Sequence, residues 1–271
     1  MIRPLDAVAS WPVTTAAVAT LDRRGDIDTE GPTARPFAWA SVTKVSTALA
    51  SWIAWEEGTL ALDDAAGPPG STVRHLLAHA SGLAPDGDSV LAPPGERRIY
   101  SNRGFEVLAD VVAERSGLTF ERYLAEAVFE PLGMTASRLA GSPASGVEGP
   151  LDDLVALARE LLAPTLVSAA TFDLATSVAF PGLAGVLPGY GRQDPNDWGL
   201  GVELRGRKSP HWMPLDASPR TFGHFGRAGG FLWVDPNAGV ACACLTDRAF
   251  GPWATEAWPT LGDAVLAHRR R

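Results

Sequence analysis

Ser41-Val42-Thr43-Lys44 is the segment richest in potential chemistry. In a helix starting at Ser41, residues three apart share a face, so the Lys44 amine can approach the Ser41 hydroxyl. At a helix N-terminus the serine also sits beside unpaired backbone N–H groups and the positive end of the helix dipole. A nucleophile needs such a place: a base takes its proton and fixed donors meet the oxyanion. Lysine suits the base because a desolvated ammonium releases its proton near neutral pH, whereas a guanidinium does not. Of 23 basic residues only Lys44 and Lys208 are lysine, so a lysine in an apolar stretch calls for a reason. Read alone, the segment is an ordinary capping serine followed by a lysine, and the spacing arises by chance in about one chain in eight of this composition.

Two further segments bear on the same chemistry. Tyr100-Ser101-Asn102 follows Pro93-Pro94-Gly95 and precedes a helical pattern. The tyrosine can pack or relay a proton, and the asparagine can cap the helix or hold a substrate amide. Gly223-His224-Phe225-Gly226-Arg227-Ala228-Gly229-Gly230 lies just before a strand pattern, Phe231–Val234. Its glycines admit a close backbone approach. It lacks the G-x-G-x-x-G spacing and strand-to-helix context of a phosphate loop, and a histidine between glycines reads as a site wall.

Other constellations fail. His75 and His79 stand four apart as zinc ligands would, but Leu76 occupies the place of the glutamate that a metalloprotease needs. There is no G-x-S-x-G elbow. The pairs Asp63-Asp64 and Asp152-Asp153 read as capping or solvated residues, and Trp198, Trp212 and Trp233 as core, with Trp212 also a candidate cleft residue.

The elements that must position these residues follow from periodicity and turn signals. Val13–Leu21 reads as a strand, Asp22-Arg23-Arg24-Gly25 as a hairpin turn into a second strand. From Ser41 to Gly58 the pattern is helical and apolar nearly all round, which predicts a helix inside the fold. From Leu60 to Pro181 short helices are joined by Pro- and Gly-rich loops: Val73–His79, Gly104–Ser116, Phe120–Phe129 and Leu151–Leu162. Strands return at Gly199–Leu204, Gly230–Val234 and Gly239–Leu245, before a closing helix over Thr255–His268. Strands first, helices next and strands last predict an α/β (α+β) protein whose sheet is built from both ends of the chain. Residues 1–58 and 184–271 would form the sheet lobe, and 59–183 an inserted all-helical lobe.

Composition narrows the function classes. The 271 residues are 46% hydrophobic and 20% charged, which excludes disorder. A net charge of −8 argues against nucleic acid. The basic cluster His268–Arg271 reads as a solvated tail. No apolar stretch reaches the roughly 18 residues of a membrane span, and the N-terminus, with Arg3, Asp6 and Pro12, makes a poor signal peptide. Cys242 and Cys244, two apart on a strand, share a face and read as buried thiols. Together these features favour the cytoplasm.

Ser-x-x-Lys, Tyr-x-Asn and a later His-x-Gly, in that order, resemble the serine β-lactamase and penicillin-binding-protein superfamily. The similarity is to the class C-like branch of DD-peptidases, esterases and other serine hydrolases. Phe37–Lys44, Leu60–Asp64, His75–Leu83 and Pro131–Met134 add to it, and it spans nearly the whole chain. The resemblance implies an antiparallel sheet flanked by helices and a cleft against the helical lobe. It also implies a Ser41 acyl-enzyme, with Lys44 and Tyr100 sharing base and acid work. Asn102 would hold Lys44 and contact the substrate, and the oxyanion would meet the N–H groups of Ser41 and Arg227. His224-Phe225-Gly226 stands where antibiotic-hydrolysing relatives carry Lys-Thr-Gly, so the ammonium and hydroxyl that grip a β-lactam carboxylate are missing. The expectation is a hydrolase of small esters, amides or peptide-like molecules, with no cofactor and no metal. Its alternatives are a β-lactamase or DD-peptidase, and a non-catalytic module that captures ligands.

Overall fold

The computed structural model describes residues 3–269. A 3-10 helix over Pro4–Ser10 precedes the antiparallel pair β1 (Ala16–Asp22) and β2 (Ile27–Glu30). β3 (Pro36–Ala38) leads into a 3-10 turn, Ala40–Val42, and then α1 (Thr43–Glu56). α2 (Val73–Leu77), α3 (Asn102–Ser116) and α4 (Phe120–Leu124) follow, the last continuing as a π-helical turn over Ala125–Phe129. Next come β4 (Arg138–Leu139), β5 (Val147–Pro150), α5 (Leu151–Leu162) and α6 (Ala169–Ala175). A hairpin of β6 (Gly185–Leu187) and β7 (Gly191–Gln193) precedes β8 (Glu203–Leu204), β9 (Phe222–Gly226), β10 (Gly230–Asp235) and β11 (Val240–Thr246). The last element is α7 (Pro252–Arg269).

Strands from both ends of the chain meet in one antiparallel sheet, in the order β2-β1-β11-β10-β9-β8. The period-2 alternation of its central strands divides two cores. Ala17, Ala19 and Leu21 of β1, Leu232 and Val234 of β10, and Ala241, Ala243 and Leu245 of β11 face α1 and α5. Val18, Phe231, Trp233, Val240, Cys242 and Cys244 face the other way, towards Trp258 and Leu261 of α7. With both faces covered, these strands read as unbroken apolar runs. The two cysteines are free and buried on that second face. α1 is buried along most of its length and pinned by the Trp52 indole N–H donating to Leu200 O at 2.8 Å.

Several expectations are corrected. Of Gly199–Leu204 only Glu203–Leu204 is strand: a Cβ on Gly201, at φ +94°, would lie 2.3 Å from Ala48 Cβ, so the chain turns tightly against α1. The stretch read as helices and loops contains β4 and β5, which pair with each other and with β3. α5, grouped with the helices of residues 59–183, packs on β1, β10 and β11. Nor is the whole His268–Arg271 cluster a solvated tail, since Arg269 Nη1 lies 2.8 Å from Asp22 Oδ2; Arg270 and Arg271 lie outside the described residues, as do Met1 and Ile2 of the N-terminal segment read above. Asp153 is buried and accepts from Ala136 N, whereas the sequence suggested solvation or capping. Among the described residues no helix is long and apolar enough to cross a membrane.

Candidate active site

Ser41 lies in the 3-10 turn ahead of α1, and Lys44 in the first turn of α1 itself. The i, i+3 relation survives this change of helix type, with Lys44 Nζ 3.4 Å from Ser41 Oγ. Ala40, immediately before the serine, is held at φ 46°, a left-handed conformation that costs a residue with a Cβ on the order of 1 kcal/mol or more. Lys44 is fully buried and donates to Asn102 Oδ1 at 2.7 Å and Ala144 O at 2.8 Å. Its ammonium also lies 4.7 Å from the centre of the Tyr100 ring. Burial pulls its pKa down to about 7, against the opposing pull of the carboxylates of Asp86 and Glu106.

The Tyr100-Ser101-Asn102 segment enters α3, where Ser101 is the N-cap and its Oγ accepts from Gly104 N at 2.9 Å. Asn102 is thereby fixed with its carbonyl on Lys44 and its amide donating to Asp86 Oδ1 at 3.0 Å. The Tyr100 hydroxyl sits 3.5 Å from His224 Nε2, at the long limit of a hydrogen bond. His224 Nδ1 pairs with Phe225 O at 2.7 Å, and since a carbonyl can only accept, Nδ1 carries the proton. Nε2 therefore faces Tyr100 as an acceptor. Burial, aided by the nearby Lys44 charge, pushes His224 down to about 3, so it is neutral at working pH. Burial moves Tyr100 the opposite way, well above the ordinary phenol value, partly countered by a hydrogen bond with Ser41.

Gly226 ends β9 where that strand passes the 3-10 turn. A Cβ there would come 2.4 Å from Trp39 O, 3.2 Å from Ala40 Cβ and 3.3 Å from Ser41 N. Only glycine lets the strand lie this close to the serine backbone. Arg227 follows, exposed, on the wall of a cavity of about 330 Å³ that also holds Ser41, Tyr100, Asn102 and His224. The structure thus brings the sequence-predicted residues together around one cavity, with Lys44 buried behind Ser41 and Gly226 beneath it.

Some lining residues escaped the sequence reading. Trp198 is in this wall, while Trp212, the candidate cleft residue, is buried in the core behind α7. Glu203 is another: fully buried, it accepts from Lys208 Nζ at 2.7 Å and Trp212 Nε1 at 2.8 Å, with His211 Nε2 also 2.8 Å away. Burial opposes its charge, yet Lys208 and His211 hold it well below the usual carboxylate range. The signal for it was Lys208, the second lysine of an arginine-rich chain, whose partner the sequence does not name. His79 lies behind Tyr100, its ring 4.6 Å away, and accepts from Ser101 N at 3.1 Å, far from any ligand set with His75. Among the described residues no three His, Cys, Asp or Glu side chains are grouped to hold a metal ion.

This geometry can be set beside known proteins. A solved structure of a β-lactamase from Mycobacterium bovis is 56% identical, superposes with a TM-score of 0.97, and covers 98% of this chain and 99% of that one. A simvastatin synthase variant from Aspergillus terreus shares the fold at 17% identity, TM-score 0.81, over 98% of this chain and 93% of its own. Penicillin-binding protein 4* of Bacillus subtilis (strain 168) is 31% identical over 137 residues, spanning 38% of this chain but only 30% of that longer protein. The sequence profile of the Beta-lactamase family matches residues 12–266. With the profile running from before β1 into α7, and a sheet and helices that superpose on its solved structures, the chain belongs to the beta-lactamase family.

Proposed function

We propose that the protein is a serine hydrolase that passes an acyl group from a small ester, amide or peptide-like substrate to water through Ser41. The observation that carries this reading is the Lys44 amine, buried, 3.4 Å from Ser41 Oγ and with its pKa near neutral. A neutral amine has two N–H bonds and one lone pair. Asn102 Oδ1 and Ala144 O take the two N–H bonds, leaving the lone pair for the Ser41 hydroxyl. Lys44 is therefore assigned the base role, and Tyr100, held as a phenol, that of proton relay.

Ser41 Oγ attacks the acyl carbon while its proton passes to Lys44. The oxyanion is assigned to the backbone N–H groups of Ser41 and Arg227, the residue after the glycine that lets β9 approach the serine backbone. The bond to the leaving group then breaks, and the departing atom takes the proton back through Tyr100. Water repeats the sequence on the acyl-enzyme, returning Ser41. Asn102 holds Lys44 and borders the acyl side, and His224 accepts from the Tyr100 hydroxyl.

A second reading, β-lactamase or DD-peptidase, is favoured by the 56% identity to a protein described as a β-lactamase. Against it stands His224, neutral where an ammonium would meet a substrate carboxylate. Intact mass after a fluorophosphonate probe, on wild type and Ser41→Ala, tests the serine directly. One adduct on the wild type, lost in the folded variant, supports the reading; its absence from folded wild type overturns it. Faster turnover of a chromogenic cephalosporin than of an aryl ester would move the second reading ahead.

A further inference from the structure

Tyr100 and Pro188 line two cavities, not one. Besides the Ser41 cavity there is a second, of about 540 Å³, walled by Pro85, Leu91, Ile99 and Val186. Its size falls within the roughly 300–1,000 Å³ of small-molecule sites. Leu91 is 51% exposed and Val186 62%. They are two of the seven large hydrophobic side chains exposed among the described residues, and both line this cavity. Such a concentration marks a binding surface, where scattered exposure would not.

The three guanidiniums around this cavity are engaged. Arg97 Nη2 donates to Leu91 O at 2.7 Å, and Arg192 Nη2 lies 2.8 Å from Asp194 Oδ2. Arg98 donates to the carbonyls of Ala78, Ala179, Phe180 and Asn196. The cavity's remaining surface is mostly apolar. Its wall is also preformed: Arg98 N donates to Ala184 O at 2.9 Å, and a Cβ on Gly185 would come 2.2 Å from Arg98 O, so the β6–β7 hairpin is seated on the segment that carries Arg98 and Tyr100.

We propose that this second cavity receives the apolar alcohol portion of an ester substrate, an assignment that rests on the serine-hydrolase reading. The reason is the position of Tyr100. The residue that returns the proton to the departing oxygen also lines this cavity, so the group attached to that oxygen extends past Tyr100 into it. In the step concerned, the Ser41 Oγ–acyl bond forms and the bond from the acyl carbon to the alcohol oxygen breaks. That oxygen keeps the electron pair and takes the proton that Ser41 gave to Lys44; nothing is oxidised or reduced.

The test uses the full chain and acetate esters of alcohols of matched acidity, from methyl to cyclohexylmethyl to naphthylmethyl. The kcat/KM is expected to rise at least about tenfold along this series, as apolar area is buried. In Val186→Asp and Leu91→Asp, both at exposed positions, the ratio of naphthylmethyl to methyl ester turnover is expected to fall at least about fivefold. A flat series in a wild type that forms the fluorophosphonate adduct, or a rise that both variants retain, overturns the cavity assignment alone. A folded wild type without the adduct overturns the hydrolase reading, and the alcohol assignment with it.

Discussion

Lys44 concentrates the residue-scale argument because burial acts on it twice, on chemistry and on stability. With a pKa of about 7 in the folded protein against an ordinary 10.5, the amine becomes a base as pH rises through neutrality. On the proposed mechanism, kcat/KM for an aryl ester rises through an acid limb near pH 7, and Lys44→Arg loses at least about 100-fold together with that limb. Stability carries the opposite face of the same shift. Between pH 7 and 10.5 the unfolded chain binds this proton and the folded one does not, so the group's contribution to stability rises with pH over that window. Below it, the protein carries the desolvation penalty in full. Urea denaturation should therefore show Lys44→Met gaining on wild type at pH 6 and losing that advantage by pH 10, with a swing on the order of several kcal/mol. A pH-independent difference would mean that Lys44 keeps its proton when buried.

The elements matter through how closely they approach. β9 lies against the 3-10 turn at Gly226, and Gly226→Ala places a Cβ 2.4 Å from Trp39 O, a contact that has to be relieved by moving backbone. Overpacking of this kind costs about 1–3 kcal/mol. On the proposed oxyanion assignment it also shifts the Arg227 amide away from the Ser41 turn, so hydrolysis is expected to fall at least about 100-fold, the scale of losing one oxyanion donor. Thermal unfolding and ester turnover measured on one preparation check both halves. Next along the sheet, β8 carries Glu203 into a buried cluster with Lys208, His211 and Trp212. Glu203→Gln removes the charge that two buried basic groups face, and breaking a buried pair in this way costs about 3–5 kcal/mol. A loss below about 1 kcal/mol by urea unfolding would show that Lys208 is neutral in the folded protein.

At the scale of the whole molecule, the parts of the site come from distant stretches of chain and need ties. Arg98 is one such tie, joining the end of α2 at Ala78 to the 179–180 segment and to Asn196, two residues from Tyr100. Arg98→Met leaves four carbonyls short of a donor, two of them in buried bonds, and is expected to cost at least about 2 kcal/mol in denaturant unfolding. Turnover should fall as well, since the Tyr100 segment loses its anchor. The packing of α5 on β1, β10 and β11 bears on lobe boundaries too. We propose that the helical insert ends before β5, because β5 pairs with β3 and α5 covers the sheet.

Taken by itself, the sequence determined what local spacing and long apolar runs can encode. Ser41 and Lys44 meet because three residues of helix, whether 3-10 or α, bring side chains to one face. α3 and α5 are long enough to display a helical period with one buried face, and α1, β10 and β11 long enough for a nearly unbroken apolar run to mark burial on all sides. Segments such as β3, β4 and β8, of two or three residues, carry no period and exist only because a partner strand accepts their hydrogen bonds. The rest was decided by tertiary structure. Lys44 and Asn102 are 58 positions apart and Tyr100 and His224 are 124, so the motifs could be listed in order but not set at distances. The protonation of Lys44 and His224, the partner of Lys208, and the second cavity behind Tyr100 all depend on which surfaces folding removes from water. That is a property of the packed molecule, which no short stretch of chain contains.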